Sequence, residues 1–150
     1  MIFEIIDVIS TMALLLIAIQ LSFISIQFRK KFKYDIVQKT YDEIYKNSEQ
    51  RNLLLKVSSY VQGREFDIDN LMHEDEAYRK DVFEALNYCE YLAMGIEQGI
   101  LDERLVQTTY RNLLYVMHSH FDRLIKELRM NSNDPETFRH FSQLMKKWRA

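Results

Sequence analysis

Glu90 and Asn87 are the residues of this sequence whose type and spacing could do chemistry. Glu90 falls between Leu86 and Ala93 on an otherwise apolar helical stripe, and Asn87 precedes it by about one turn. A carboxylate in apolar surroundings holds its proton more tightly, which suits a general acid or base. The groups able to face it from the following helix are Arg104, Arg111 and His120. The plainer reading is structural, because a charge brought out of water is usually paired. On that reading Glu90 is an ion-pair partner, and Asn87 fixes the register of two helices. No residue is assigned a catalytic role.

The other candidates are weaker. His118 and His120 stand about 200° apart on a helix, so one ion cannot bind both. His118 and Asp122 share a face, but they are two ligands where structural zinc takes four. His73 and His140 complete the histidines, and the helical Glu-x-x-His di-iron pattern does not occur. The run DIDN at 67–70 starts like a calcium loop, yet Leu71 and Met72 stand where a ligand and a glycine are needed. Cys89, the single cysteine, lies on the apolar stripe with no base nearby in sequence, which suits a small core residue. No phosphate loop, dinucleotide fingerprint or serine elbow is present, so no cofactor or metal is implied.

The elements that must position these groups are helical. Three glycines and one proline in 150 residues leave few turns, and apolar residues recur at helical spacing. Val37, Tyr41 and Ile44 continue the N-terminal helix as an amphipathic extension, which breaks at Asn47 and Ser48. Asn47 and Gln50 have the spacing of a capping box for a helix bearing Leu53, Leu54, Val57, Tyr60 and Val61 and reaching about Gln62. Gly63 closes that helix, and REFDIDN connects it to the next.

Asp69 or Asn70 caps a long helix to Gln98 with Tyr78, Val82, Ala85, Leu86, Cys89, Leu92, Ala93 and Ile96 on its face. The next turn is the best specified: Gly99 suits a left-handed position, Ile100 folds back on Met94, and Asp102 caps the following helix. Leu101 and Val106 have the spacing of a hydrophobic staple. A second long helix, 103–130, carries Val106, Tyr110, Leu113, Met117, Phe121, Leu124 and Leu128, so the pair forms an antiparallel hairpin. Gly95, inside the first helix, suits close helix–helix approach. After the loop NSND, Asp134 caps and Pro135 opens a last helix with Phe138, Phe141, Leu144, Met145 and Trp148. Residues 65–103 hold twelve acids and two bases, whereas 104–150 hold nine bases and four acids, a contrast that favours packing of the two segments.

Residues 8–28, VISTMALLLIAIQLSFISIQF, are 21 consecutive positions without a formal charge. As a helix they reach about 31 Å, close to the hydrocarbon thickness of a bilayer. Arg29, Lys30, Lys31 and Lys33 follow, whereas Glu4 and Asp7 precede. A basic flank stays on the cytoplasmic side, so the expected topology is a single span of the cell (inner) membrane with the N-terminus outside. A cleaved signal peptide would need a basic start and a small-residue cleavage site, and neither is present. The basic cluster could also hold anionic lipid. Ala18, Ser22 and Ser25 form a small-residue face on this helix, and Gln20 and Gln27 a second face, either of which could bring two copies together. The expected organisation is an anchor, 1–33, and one cytoplasmic domain, 34–150. Net charge is −2 overall and −4 over 34–150, which argues against nucleic-acid binding.

The stretch at 87–102, NYCEYLAMGIEQGILD, resembles the signature of a bacterial and phage family, the domain of unknown function numbered 4760. Asn87, Tyr88, Glu90, Leu92, Ala93, Gly95, Ile96, Gly99, Ile100, Leu101 and Asp102 carry the match, and Phe141, Leu144 and Trp148 match its closing helix. The resemblance implies an N-terminal membrane segment joined to a small helical domain, and no activity. It singles out Asn87, Tyr88, Glu90, Gly95, Gly99 and Asp102 as the motif to locate.

The expected fold class is therefore all-α: one transmembrane helix and a small helical bundle built on a long hairpin. The leading functional reading is a membrane-anchored interaction or structural protein whose partners are the bilayer, an unknown protein or a second copy. The alternatives are a small helical enzyme using Glu90 with facing arginine or histidine, and a phage or defence-type membrane effector.

Overall fold

The computed structural model describes residues 2–61 and 66–149, with side chains from Thr11 onward. Six helices make up the described chain and no strand occurs in it: α1 (Ile2–Lys46), α2 (Ser48–Tyr60), α3 (Ile68–Met72), α4 (Glu76–Glu97), α5 (Glu103–Ser132) and α6 (Arg139–Arg149). Contacts divide the chain into a unit ending at Ile36 and a second unit, Val37–Ala150.

The first unit is a single length of α1. No glycine or proline interrupts residues 2–46, which is why one helix runs unbroken for 45 residues. Its apolar side chains are uncovered, with Leu14 67%, Phe23 61% and Phe28 69% exposed. It is the one described helix long and apolar enough to cross a membrane.

In the second unit, α4 packs against α2, α5 and α6, most extensively against α6, and α5 also packs on α2, α3 and α6. Val82, Ala85, Leu86, Cys89 and Leu92 of α4 are fully buried, as the apolar stripe requires. On α5 the buried arc is wider than one stripe. Leu114, His118 and Ile125 join Val106, Tyr110, Met117, Phe121 and Leu124, while Leu113 and Leu128 are only partly covered. A helix touching four neighbours buries more than one face.

Several local expectations are corrected. Asn47 does not cap α2: its side chain donates to Glu43 Oε1 at 2.9 Å, and Gln50 Oε1 is buried without a partner, so no capping box forms. Gln62 and Gly63 lie outside the described residues. The cap ahead of the long helix is neither Asp69 nor Asn70. Asp67 caps the short α3 by accepting from Asn70 N, and Asp75 caps α4 by accepting from Tyr78 N, both at 2.8 Å. Phe66 is docked on α5, its N–H donating to the His120 carbonyl (3.0 Å) and its own carbonyl accepting from Leu124 N (3.1 Å). Ile68 N adds a bond to Glu127 Oε2 at 2.8 Å.

The last helix starts later than Pro135. Asp134 accepts from Glu136 N and Thr137 Oγ1, which closes a turn over 134–138, and α6 begins at Arg139. Phe138, with φ of 53°, turns the chain into it. A left-handed phenylalanine is strained. The compensation is visible: its ring is buried, and Arg129 donates to the Thr137 carbonyl (2.8 Å), the Phe138 carbonyl (3.0 Å) and Ser142 Oγ (2.8 Å).

Candidate functional site

The motif residues sort into three places. Glu90, on α4, faces the start of α6. Its Oε2 accepts from Phe141 N at 2.8 Å, and its Oε1 accepts from His140 N at 3.1 Å. His140 Nδ1 stands 2.7 Å from the same Oε1, and since a carboxylate only accepts, Nδ1 is the donor. The first turn of a helix has amides without intrahelical partners, normally met by a Ser, Asp or Asn just before it. Phe138 occupies that place, and its carbonyl accepts from Ser142 N at 3.2 Å, the first rung of α6. A phenylalanine ring accepts no such bond. Glu90 therefore supplies from another helix the oxygens that α6 lacks, and its charge sits at the positive end of the helix dipole.

The partners expected from sequence are thus replaced. Arg111 approaches the Trp148 carbonyl at 3.5 Å and lies 5.6 Å from the Tyr115 ring centre, and the His120 carbonyl receives Phe66. Glu90 is met by His140 and two backbone amides instead of Arg104, Arg111 or His120.

Further groups from α4 and the start of α5 hold α6. His140 Nε2 lies 3.3 Å from Glu97 Oε2, so the ring stands between two carboxylates. Glu103 accepts from Lys147 Nζ at 2.6 Å and Trp148 Nε1 at 2.9 Å. The Lys147 hydrogen bond, reinforced by Trp148, holds the Glu103 carboxyl below its usual range despite some burial. The acidic segment meets the basic one chiefly through α6. Beside His140 a cavity of about 420 Å³ has Ala93, Ile96 and Leu144 on its walls and Glu97, Gln143 and Lys147 around it.

Gly95, Gly99 and Asp102 form the second place, the turn between α4 and α5. Gly99 has φ of 66°, the left-handed conformation anticipated for it. Gly99 N donates to the Ile96 carbonyl at 3.1 Å and Ile100 N to the Gly95 carbonyl at 2.8 Å, a complete Schellman motif. Ile100 remains 38% exposed; the residue seated on α4 is Leu101. A Cβ on Gly95 would come within 2.7 Å of Leu101 Cδ1, so Gly95 makes room for this turn residue, not for a crossing helix. Asp102 Oδ1 accepts from Leu105 N at 3.0 Å, as a cap should, and Asp102 N donates to buried Thr40 Oγ1 at 2.7 Å. Leu101 and Val106 are both buried.

Asn87 and Tyr88 belong to the third place, away from the Glu90 contacts. Asn87 is exposed and Tyr88 buried, and with Glu43, Gln50, Glu84 and Tyr91 they line a shallow cleft of about 370 Å³. Burial pushes the Tyr88 phenol well above its usual range, with Tyr110 and Glu43 adding to the effect. Burial likewise raises the Cys89 thiol, the carboxylate of Glu90 reinforcing it, which leaves Cys89 a poor nucleophile. Asn87 and Glu90 therefore do not converge on one open pocket. Among the described residues, no group of three or more His, Cys, Asp or Glu side chains is placed to hold a metal ion. Arg29, Lys30, Lys31 and Lys33 are exposed on α1.

Sequence reasoning missed His140, Arg129, Glu103 and Thr40 as the groups that fix these places. The one available signal was Glu103 itself, an acid in the first turn of α5 facing a segment rich in lysine and arginine. No curated protein and no solved structure matches the chain. The family model described as "Domain of unknown function (DUF4760)" matches residues 8–148, and with nearly its whole length covered the chain belongs to that family.

Proposed function

We propose that this protein is a single-span membrane protein that holds a helical domain at the cytoplasmic face of the cell membrane, where the domain engages a protein partner or a second copy. The observation that carries the reading is the uncovered apolar length of α1: the most apolar window has mean hydropathy 1.9 and 0% of it is buried. Large apolar surface on one helix needs a non-aqueous neighbour. Arg29, Lys30, Lys31 and Lys33 follow it directly and favour insertion with this flank inside. Glu90, on which an enzyme reading rested, is taken up by three hydrogen bonds to α6.

Thiol labelling in intact cells tests the topology. Ser132 is exposed, and Cys89 is fully buried and silent in the folded protein. Ser132→Cys should react with a membrane-impermeant maleimide only after the membrane is opened. Labelling in sealed cells would reverse the orientation, and release of the chain by alkaline carbonate would remove the anchor. Crosslinking and affinity capture from membranes, with the partner then reconstituted, tests the interaction role.

A further inference from the structure

The cleft beside Asn87 and Tyr88 holds oxygens that nothing in the described chain meets. Gln50 Oε1 and Tyr88 Oη are buried without a hydrogen-bond partner, and both belong to side chains that line it. Tyr88 is only 7% exposed. Tyr110 Oη is a third such atom, its ring edge-on to Tyr88 with centres 6.4 Å apart. Glu43 and Tyr110 stand near enough to raise the Tyr88 phenol, but neither meets its hydroxyl in hydrogen-bond geometry. A buried polar atom left unmet is costly, and native proteins meet nearly all of theirs.

The other walls say what would meet them. Glu43, near the end of α1, and Glu84 on α4 bring two carboxylates, and no lysine, arginine or histidine is among the described residues lining the cleft. Tyr88 and Tyr91 stack with 6.1 Å between ring centres and 21° between planes, and Tyr91 stays 39% exposed. Carboxylates beside aromatic faces attract an organic cation. An ammonium group donates three hydrogen bonds and accepts none, the complement of a carboxamide oxygen and two carboxylates.

We infer that this cleft, between the end of α1, α2 and α4, binds a small aliphatic diamine, one ammonium group meeting Gln50 Oε1, Tyr88 Oη and Glu43 and the other meeting Glu84. Its volume of about 370 Å³ admits a short chain with a charge at each end. Asn87 and Tyr88, the motif residues that neither the Glu90 contacts nor the α4–α5 turn employs, both line it. The site does not depend on the membrane-spanning reading, because every residue named for it lies in the second unit.

Isothermal titration calorimetry and the thermal midpoint of the full chain in detergent test this, with 1,4-diaminobutane as the probe and 1,4-butanediol as its neutral counterpart. The diamine should bind once per chain and raise the midpoint, and the diol should do neither. Glu84→Gln removes a charge at an exposed position and should weaken binding about fivefold. Tyr88→Phe keeps the ring but removes an unmet oxygen; it should weaken binding by about fivefold while leaving the unliganded protein at least as stable. Glu76→Gln, an exposed acid on the same helix outside the cleft, should change affinity by less than about twofold. No binding of the diamine at up to about 10 mM, tenfold beyond a dissociation constant of about 1 mM, would mean a hydrated cleft only and would overturn the inference. Equal binding of the diol, equal stabilisation by magnesium chloride, or an equal loss in Glu76→Gln would each overturn it too. A drop in unliganded stability for Tyr88→Phe would show that the hydroxyl has a partner within the protein, and would remove the observation on which the site rests.

Discussion

Glu90 accepts the backbone amide of Phe141 at 2.8 Å across the α4–α6 contact, and so one side chain does for a distant helix what a neighbouring cap normally does. Removing it strands two first-turn amides and a histidine. Glu90→Ala should destabilise the detergent-solubilised chain by about 2–3 kcal/mol, and Glu90→Gln by about half that, because one amide oxygen can still accept. Urea unfolding followed by Trp148, the only tryptophan and a residue of α6, measures it. Equal stability of Glu90→Ala and the parent would show that α6 does not need this carboxylate.

The turn at Gly99 separates two effects of a methyl group. At Gly95 an added Cβ meets Leu101 Cδ1 at 2.7 Å and Cγ at 2.9 Å, whereas at Gly99 nothing lies within 4 Å. Gly95→Ala should cost about 1–3 kcal/mol through overpacking, and Leu101→Ala should absorb most of that in the double variant. Gly99→Ala should cost about 1 kcal/mol from the left-handed backbone alone, independent of residue 101, and Gly99→Val more. Additive energies for Gly95→Ala and Leu101→Ala in a double-mutant cycle would contradict the contact.

Thr40 joins the end of α1 to that turn. Thr40→Val keeps the shape but removes the oxygen that receives Asp102 N, and should cost about 1–2 kcal/mol. Hydrogen exchange at the Asp102 amide should accelerate in step, and unchanged protection there would assign the amide another acceptor.

His118 gives the pH dependence its sign. Burial lowers its proton affinity below the ordinary value of 6.5; Asp122 at 3.7 Å opposes this, while Arg149, Lys126 and Arg129 reinforce it. The folded protein therefore holds the ring neutral where the unfolded chain has begun to protonate, and stability falls as pH drops below about 6.5. His118→Leu removes the titration together with a buried, unpartnered Nδ1. Its stability should decline less between pH 7 and 5 than that of the parent, as urea midpoints would show. Parallel profiles would mean that His118 is hydrated.

The long helices and the α4–α5 turn were legible because apolar period and glycine chemistry are properties of side chains. Gly99 and Asp102 could be placed for that reason. Glu90 was visible as an unusual acid, but its partners were not, since backbone amides leave no mark on residue identity and Phe138 looks nothing like a cap. The segment before α4 holds Asp67, Asp69, Asn70 and Asp75, all chemically able to cap; the sequence alone points to Asp69 or Asn70, whereas the folded chain uses Asp67 and Asp75. Asn47 had the right spacing for a box, yet Glu43, one turn back, gave its amide a charged acceptor.

Phe66 has a further bearing on how the molecule assembles. Its two backbone groups bond His120 and Leu124, which in an uninterrupted helix would be partners of each other. A rung in the middle of α5 is thus shared with a residue more than fifty positions earlier. The two bonds to Phe66 at the centre of this helix cannot come from local zipping; they form only on a long chain closure, the slow kind of step in folding. Protection of the Leu124 amide therefore reports the arrival of Phe66 as much as the winding of the helix that contains it.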